Sequence, residues 1–215
     1  MSLPFMQPYM GLGNSLQTAQ SGGAGGAVGG WVELGRTTLG STNDNIAVTG
    51  LADKRYYMVL TYTGAGSGNI TTQLRLNSDT GSNYSYRISD IGATDTTGVS
   101  QAVMASGVGG SSASTPIFDV GYLANVATKE KLWLSHGVGG ATGAGTAPIR
   151  RESVGKHAQT TNPISAVTQF NPESGDFNTG AEVVVLGWDP ADTHTSNFWE
   201  ELANTNAAGS TENMN

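Results

Sequence analysis

The chain has 215 residues, of which 37% are hydrophobic and 13% charged, with a formal net charge of -7 and no cysteine. This length suits one β domain with tails, and the absence of cysteine excludes a disulfide framework and thiolate chemistry. Because the chain is acidic and has no basic cluster, no nucleic-acid partner is expected. No apolar run approaches the roughly 18 residues that cross a bilayer, so no membrane partner is expected either.

The low charge content has two interpretations. Charged residues make up 13% of the chain, against about 25% in a typical domain. Such a surface is easier to desolvate against another protein, and a threonine-rich β surface gives the same composition. The chain also lacks the basic and apolar regions of a secretion signal, which predicts that it is made and folded in a cytoplasm.

Residues 1–30 carry no charged side chain. They hold too few apolar residues for a core of their own, and Pro4 and Pro8 discourage a helix. We predict an extended arm that lies along a neighbouring protein, tethered by the stretch SGGAGGAVGG. A frayed terminus is the alternative. The predicted partner-binding residues of the arm are Leu3, Pro4, Phe5, Met6, Pro8, Tyr9, Met10, Leu12 and Leu16.

Residues 31–189 have the pattern of a single β domain. The stretch NITTQLRLNS places Ile70, Thr72 and Leu74 on one face of a half-buried strand, and no central segment shows helical periodicity over three turns. About ten short strands between Gly, Ser and Asn clusters predict an all-β fold, an antiparallel β-sandwich of jelly-roll type. The predicted strands are WVELGRTTL, NIAVTGL, RYYMVLTYT, NITTQLRLNS, SNYSYRIS, VSQAVMAS, TPIFDVGYL, KLWLSH, ISAVTQF and AEVVVLGW.

Two features stand near the end of this domain. Residues 183–186 form a continuous apolar run, which is typical of a strand covered on both faces. Gly175 and Gly180 bracket Phe177 in a turn region, and we expect this aromatic ring to plug the end of the sandwich.

Glycine-rich segments are predicted to be loops rather than cofactor sites. The stretch GVGGATGAG, residues 137–145, lacks the G-x-G-x-x-G spacing, and no helix follows it. The stretch SGVGGSSAST has the composition of a turn region. No cofactor is expected.

Metal binding has weak support in the sequence. The three histidines are far apart and lack metal-binding spacing, so no metal site is expected. Asp189, Asp192 and His194 lie close together in WDPADTH. This group is able to hold a cation, and an ordinary turn has the same pattern.

We predict that the protein is not an enzyme, because no catalytic motif is present. A glycan-processing enzyme stays an alternative, which needs one protonated and one ionised carboxyl a few Å apart. Its candidate carboxylates, which the sequence alone does not pair, are Glu33, Asp119, Glu152 and Glu182. The tryptophans are either sugar-stacking platforms or anchors of cores and interfaces. They are Trp31, Trp133, Trp188 and Trp199.

Residues 190–215 are predicted to be a tail with a short helix at about 197–204. Asn197 fits the N-cap and Glu200 the third helical position. We expect this helix to be a second docking element or a lid on its own domain. Its predicted partner-binding residues are Phe198, Trp199 and Leu202.

A resemblance to a known family lies in residues 163–189. There the strand ISAVTQF is followed by a stretch of the form S-G-x-F-x-x-G and then by AEVVVLG, and this segment resembles the closing hairpin of virion structural proteins of tailed bacteriophages. Residues 31–62, with their W-x-x-L-G start, are similar to the opening of the same proteins. The resemblance implies a β-sandwich of jelly-roll type on the surface of a phage particle, commonly trimeric. It carries no catalytic residue across.

These features together predict a non-enzymatic virion protein at the virion surface. We expect a capsid decoration or cement protein that binds and stabilises the assembled shell through its N-terminal arm. Its expected partners are the major capsid protein or another virion protein, and further copies of the chain in a homotrimer. The alternative is a receptor-binding fibre or tail-associated adhesin with glycan-binding loops.

Overall fold

A computed structural model describes residues 30–110, 115–140 and 143–192. The predicted arm residues from Leu3 to Leu16, the predicted helix at 197–204 and His194 lie outside the described residues. Every regular element of the described part is a β-strand, and that part contains no helix long and apolar enough to span a membrane. The prediction of an all-β fold is confirmed for this part of the chain.

Fourteen strands follow one another along the described residues. Their bounds are β1 Val32–Thr38, β2 Asn45–Thr49, β3 Tyr56–Thr63, β4 Ala65–Ser67, β5 Ile70–Leu76, β6 Tyr84–Asp90, β7 Thr96–Gln101, β8 Met104–Gly110, β9 Ile117–Ala124, β10 Lys131–Gly139, β11 Ile149–His157, β12 Ala166–Phe170, β13 Asp176–Phe177 and β14 Glu182–Trp188.

Two antiparallel sheets contain twelve of these strands. The large sheet has eight strands in the order β1-β14-β3-β9-β10-β11-β6-β7, and the small sheet has four in the order β2-β12-β5-β8. Strands β13 and β4 form a separate two-stranded ladder. Strands that are distant in sequence are neighbours in space, such as β1 with β14 and β2 with β12.

The two sheets share one hydrophobic core. Strand β10 alternates buried and exposed residues along its whole length, as a strand with one face on a core does. Ile46 and Leu74 of the small sheet belong to the same buried cluster as Tyr57, Leu123 and Trp133 of the large sheet. Because burying one such side chain contributes about 1.5–3 kcal/mol, this cluster holds the sheets together.

Small residues bring strand β8 close to the large sheet. A Cβ atom on Gly137 of β10 would lie 2.9 Å from the Cα of Gly107 in β8. The hydroxyl groups of Ser135 and Ser153 donate hydrogen bonds to the Ser106 carbonyl oxygen over 3.3 and 2.9 Å. Glycine and serine therefore serve close packing between the sheets at this point.

Two glycine segments that the sequence predicts to be loops are partly strand, and strand β11 was not predicted. Strands β8 and β10 continue through Gly110 and Gly139, in segments that were predicted to be loops. Strand β11 was not predicted because its inward positions include Ser153 and Gly155 rather than large apolar residues. The predicted strand VSQAVMAS joins the end of β7 to the start of β8, with a bend at residues 102–103.

The turn region before β14 agrees with its prediction. Phe177 is fully buried. Gly180 has a φ angle of 82°, in the left-handed region that favours glycine, and a Cβ atom on Gly175 would overlap the Ser67 carbonyl group. The two glycines shape the chain around a phenylalanine that closes one edge of the core.

The contact between Gly121 of β9 and Trp133 of β10 gives a test of this core. A Cβ atom on Gly121 would overlap the buried indole ring of Trp133. We expect Gly121→Ala to lower the free energy of unfolding by about 2–3 kcal/mol, measured by urea denaturation. Gly40→Ala is the matched control, since no atom lies within 4 Å of its Cβ position. Equal losses in both variants would contradict the described packing.

Candidate functional site

The outward side of the large sheet is apolar across its four central strands. Strand pairing aligns the outward residues of β14, β3, β9 and β10 in four rows of four. Fourteen of these sixteen positions are apolar or aromatic, and the exceptions are Glu182 and His136. We call these sixteen residues the outer face: Glu182, Val184, Leu186, Trp188, Tyr56, Met58, Leu60, Tyr62, Phe118, Val120, Tyr122, Ala124, Leu132, Leu134, His136 and Val138.

No other described segment covers the outer face. Tyr62 and Leu132 are 57% and 56% exposed, and Phe118, Tyr122 and Leu134 are each more than 40% exposed. Monomeric proteins rarely leave contiguous apolar patches larger than a few hundred Å² in water, and larger ones mark interaction sites. The outer face is therefore the first candidate for a functional surface.

Aromatic rings line a groove of about 410 Å³ at one end of the outer face. The rings of Trp31 and Tyr122 have centroids 6.4 Å apart. The rings of Tyr56 and Trp188 stack with centroids 5.6 Å apart. Large aromatic groups in a shallow groove are typical anchors of protein interfaces.

Charged residues border the outer face on the β1 side. Arg36 bridges two carboxylates, at 2.6 Å from Glu33 and 3.7 Å from Glu182. The hydrogen bond from the Arg36 guanidinium lowers the pKa of Glu33. These groups are largely open to solvent, so the ion pairs themselves add little stability.

Charged residues also border the outer face on the β11 side. Arg150 and Glu152 form an ion pair of 2.7 Å, and Lys156 pairs with Glu130 at 2.8 Å. Arg87 of β6 lies one strand further out, opposite Val154. The outer face is thus an apolar band between two charged margins, the arrangement of an interface core and its rim.

The four carboxylates considered for glycoside hydrolysis lie in three separate places. Glu33 and Glu182 share Arg36 at one margin of the outer face, and Glu152 lies at the other margin. Asp119 points to the interior and is 1% exposed. The lowered pKa of Glu33 is the opposite of what a general acid requires.

Asp119 lies in a polar part of the interior. It is paired across the strands with Thr61 and Gly137. Burial raises the pKa of Asp119 to about 7, although a hydrogen bond with Ser106 and the charge of Arg151 oppose this shift. Its Oδ1 atom has no hydrogen-bond partner. The Asp119 carboxyl is therefore a titrating group inside the sheet packing rather than in an open cleft.

A polar cleft of about 350 Å³ lies at the ends of the same central strands. Asn125 is 6% exposed, and its Nδ2 donates to Asp53 Oδ1 over 2.8 Å, while its Oδ1 has no partner. Lys131 is 1% exposed and donates to the Val126 carbonyl oxygen over 3.1 Å. The Nε of Arg55 is also without a partner. The cleft is therefore lined by polar and charged side chains, with two unpartnered polar atoms buried beside it.

Asp189 and Asp192 form a turn and an ion pair. Asp189 Oδ1 accepts a hydrogen bond from the Ala191 amide over 2.9 Å, and its Oδ2 accepts one from the Arg55 amide over 3.0 Å. Lys54 Nζ lies 2.6 Å from Asp192 Oδ1. The described residues contain no group of three acidic or histidine side chains able to hold a metal ion. With the hydrogen bond from the Asp192 amide to the Asp189 carbonyl oxygen, these contacts make residues 189–192 a turn.

The tryptophans divide between the core and the surface. Trp133 is 2% exposed in the core, whereas Trp31 and Trp188 line the aromatic groove. Trp199 lies outside the described residues, as do the predicted arm and helix sites. The outer face was not predicted, although the apolar run at residues 183–186 was a signal for it, since Val184 and Leu186 point outward.

The chain matches no family model, and neither a curated protein nor a solved structure shows significant similarity to it. The resemblance to virion proteins of tailed bacteriophages therefore stays a prediction.

The buried Asp119 carboxyl predicts a pH effect on stability. Its pKa is 3.8 in the unfolded chain and about 7 in the native protein, so only the native protein keeps this proton between those pH values. The protonated Asp119 carboxyl therefore makes its full contribution to the free energy of unfolding below about pH 4, and this contribution is lost as the pH rises to 7. We expect Asp119→Asn to gain on the order of 3–4 kcal/mol relative to wild type between pH 4 and 8.

Urea denaturation at both pH values measures this effect. Asp44→Asn, on an exposed side chain, is the control. A stability difference between Asp119→Asn and wild type that does not change with pH would show that Asp119 is ionised throughout.

Proposed function

We propose that the protein is a non-enzymatic structural component of a tailed-phage virion, a decoration or cement protein of jelly-roll type. It binds the major capsid protein or another virion protein at the particle surface. The outer face is the observation that carries this proposal. An apolar surface of four strands with charged margins suits a protein partner.

The strand order supports the jelly-roll type. Such a fold is a long hairpin of eight strands wrapped into two sheets, in which the first strand pairs with the eighth, the second with the seventh, the third with the sixth and the fourth with the fifth. The corresponding pairs are β1 with β14, β2 with β12, β3 with β9, and β5 with β8. Strands β6, β7, β10 and β11 then extend one sheet.

The N-terminal arm supplies the proposed link to the particle. Residues 1–30 have no charge, so their apolar side chains meet a protein surface without a charge-desolvation cost. Trp31, the residue that follows the arm, already lies in the aromatic groove of the outer face. A protein that binds only the assembled shell stabilises it by mass action, and several arms per oligomer multiply a modest affinity.

Changing the arm tests the proposed function. Phe5→Ser and Tyr9→Ser together remove two aromatic anchors without changing the charge. We expect the double variant to bind particles that lack this protein at least about tenfold more weakly than the full chain, as anchor loss costs 1–2 kcal/mol or more. Co-sedimentation measures binding, and the heat resistance of the particles measures stabilisation.

The matched control is Gln17→Ser with Thr18→Ser, which changes two polar residues of the same segment. Equal binding by the control and the arm variant would contradict a role for the apolar residues. Failure of the full chain to bind any stripped particle would contradict the decoration function itself.

The polar cleft favours a second candidate, a tail-associated or fibre protein that recognises host glycans. Polar and charged side chains line this cleft, among them Asn125, Arg55 and Lys131, and such a lining suits a ligand with several hydroxyl groups. We expect binding to at least one oligosaccharide of a glycan array. Asp53→Asn should weaken that binding about tenfold or more, and Asp95→Asn, remote from the cleft, should not. No binding across the array would contradict this candidate.

A further inference from the structure

We propose that the outer face holds the N-terminal arm of the same chain while the protein is free. The arm is covered until it leaves this face, so the contact is autoinhibitory. The inference deepens the proposed function and rests on it for one statement, that the arm is the link to a virion. What it adds is the place where the arm lies before that link forms.

Trp31 lies where the arm joins the domain. It precedes β1 at the edge of the large sheet, and Tyr122 lies on β9, three strand spacings or about 14 Å from β1. The two ring centroids are nevertheless only 6.4 Å apart, so the Trp31 ring leans over the outer face. Gly30 is buried and has a φ angle of 129°. The chain therefore joins β1 from the side of the outer face.

The charges beside the outer face already have partners within the domain. At the β1 margin Arg36 lies 2.6 Å from Glu33 and 3.7 Å from Glu182, and at the β11 margin Arg150 pairs with Glu152 at 2.7 Å. Fourteen of the sixteen residues of the outer face are apolar or aromatic. An uncharged segment fits such a surface, because it brings no charge to be desolvated. Residues 1–30 are a segment of this kind.

The C-terminal residues fit this surface less well. Residues 193–215 carry three glutamates, and the desolvation of these carboxylates would oppose burial against apolar side chains. The last described residue, Asp192, is paired with Lys54 at 2.6 Å, and Lys54 lines the polar cleft rather than the aromatic groove. The N-terminal arm is therefore the better occupant.

The size of the outer face favours a tethered segment over a separate protein. Four strands about 19 Å wide and four rows about 20 Å long give a flat area of roughly 400 Å². This is about half of the roughly 800 Å² that each partner contributes to a standard interface. A separate protein therefore needs contacts beyond the outer face. Residues 3–16 span at most about 50 Å when extended, which is enough for two passes along this surface.

The glycine-rich tether has a suitable length for this contact. It consists of the stretch SGGAGGAVGG, residues 21–30, and ten residues of such composition have an average end-to-end distance of about 16–19 Å. This distance is close to the width of the outer face. A linker of this length keeps the attached segment at an effective concentration on the order of millimolar, so weak apolar contacts are enough to hold the arm.

Engineered disulfides test the contact directly, because the chain has no cysteine of its own. Gln7→Cys with His136→Cys places one thiol in the arm and one on the outer face, and neither substitution removes an apolar side chain. Gln7→Cys with Ala47→Cys is the matched control, since Ala47 is exposed on β2, on the outward side of the small sheet. Strand spacing and rise place both positions roughly 20–25 Å from Trp31, so an undocked arm would reach them equally.

Equilibration of the full-length variants with reduced and oxidised glutathione measures the effective concentration of one thiol at the other. We expect a value at least about tenfold higher for the outer-face pair than for the control pair. The disulfide should form within one chain at every protein concentration. Adding Phe5→Ser and Tyr9→Ser should lower the value to that of the control pair, because two aromatic anchors are lost.

The possible results separate this inference from the proposed function. Equal effective concentrations in the two pairs, disulfides between chains, or a value that the double substitution leaves unchanged would each overturn the inference. The oxidised outer-face pair, whose arm is locked, should bind stripped particles at least about tenfold more weakly than its reduced form, and equal binding would overturn the autoinhibition. Failure of both forms to bind, with the expected disulfides, would uphold the contact and overturn the decoration function.

Discussion

The pairing register of β14, β3, β9 and β10 is the constraint on which the rest of the structure depends. Side chains of a strand alternate between two faces, so one register decides both what enters the core and what points outward. Here the inward set includes Tyr57, Leu123 and Trp133, which join the small sheet. The same alternation sends the apolar residues of the outer face to the opposite side. Core and candidate interface therefore arise from one set of backbone hydrogen bonds.

The large sheet has several polar side chains on its inward face and apolar ones on its outward face, the reverse of the usual arrangement. Its inward positions include Thr61, Asp119 and Ser135, which are 1% exposed or less. Gln169 of the small sheet links this region by donating to Thr61 Oγ1 over 3.1 Å and accepting from Ser106 Oγ over 3.0 Å. A polar interior contributes less to stability than an apolar one of the same size. The large sheet thus keeps on its outward side apolar area that a typical domain would place in its core.

Strands whose own residues alternate were predicted from the sequence, whereas features that depend on packing against the other sheet were not. Alternation located β5 and β9 with boundaries close to those observed. It did not locate β11, whose inward Ser153 and Gly155 face the small residues and Met104 of β8. The same close approach explains why glycines at the ends of β8 and β10 are strand residues. The outer face was not predicted because period-two patterns assume one polar side, although the runs at residues 56–60 and 183–186 depart from that assumption.

The charged margins show why composition alone understates specificity. The outer face could associate with many apolar surfaces, since the hydrophobic effect has no direction. Charges at both margins disfavour a partner whose own charges do not match them, because unpaired or like charges would then be desolvated together. Glu33 and Arg36 lie on β1 beside Glu182 of β14, and Arg150 and Glu152 lie on β11 at the other margin. In a chain with only 13% charged residues, the strand register thus fixes a few charges at the two margins, and these few limit which apolar surfaces can associate with the outer face.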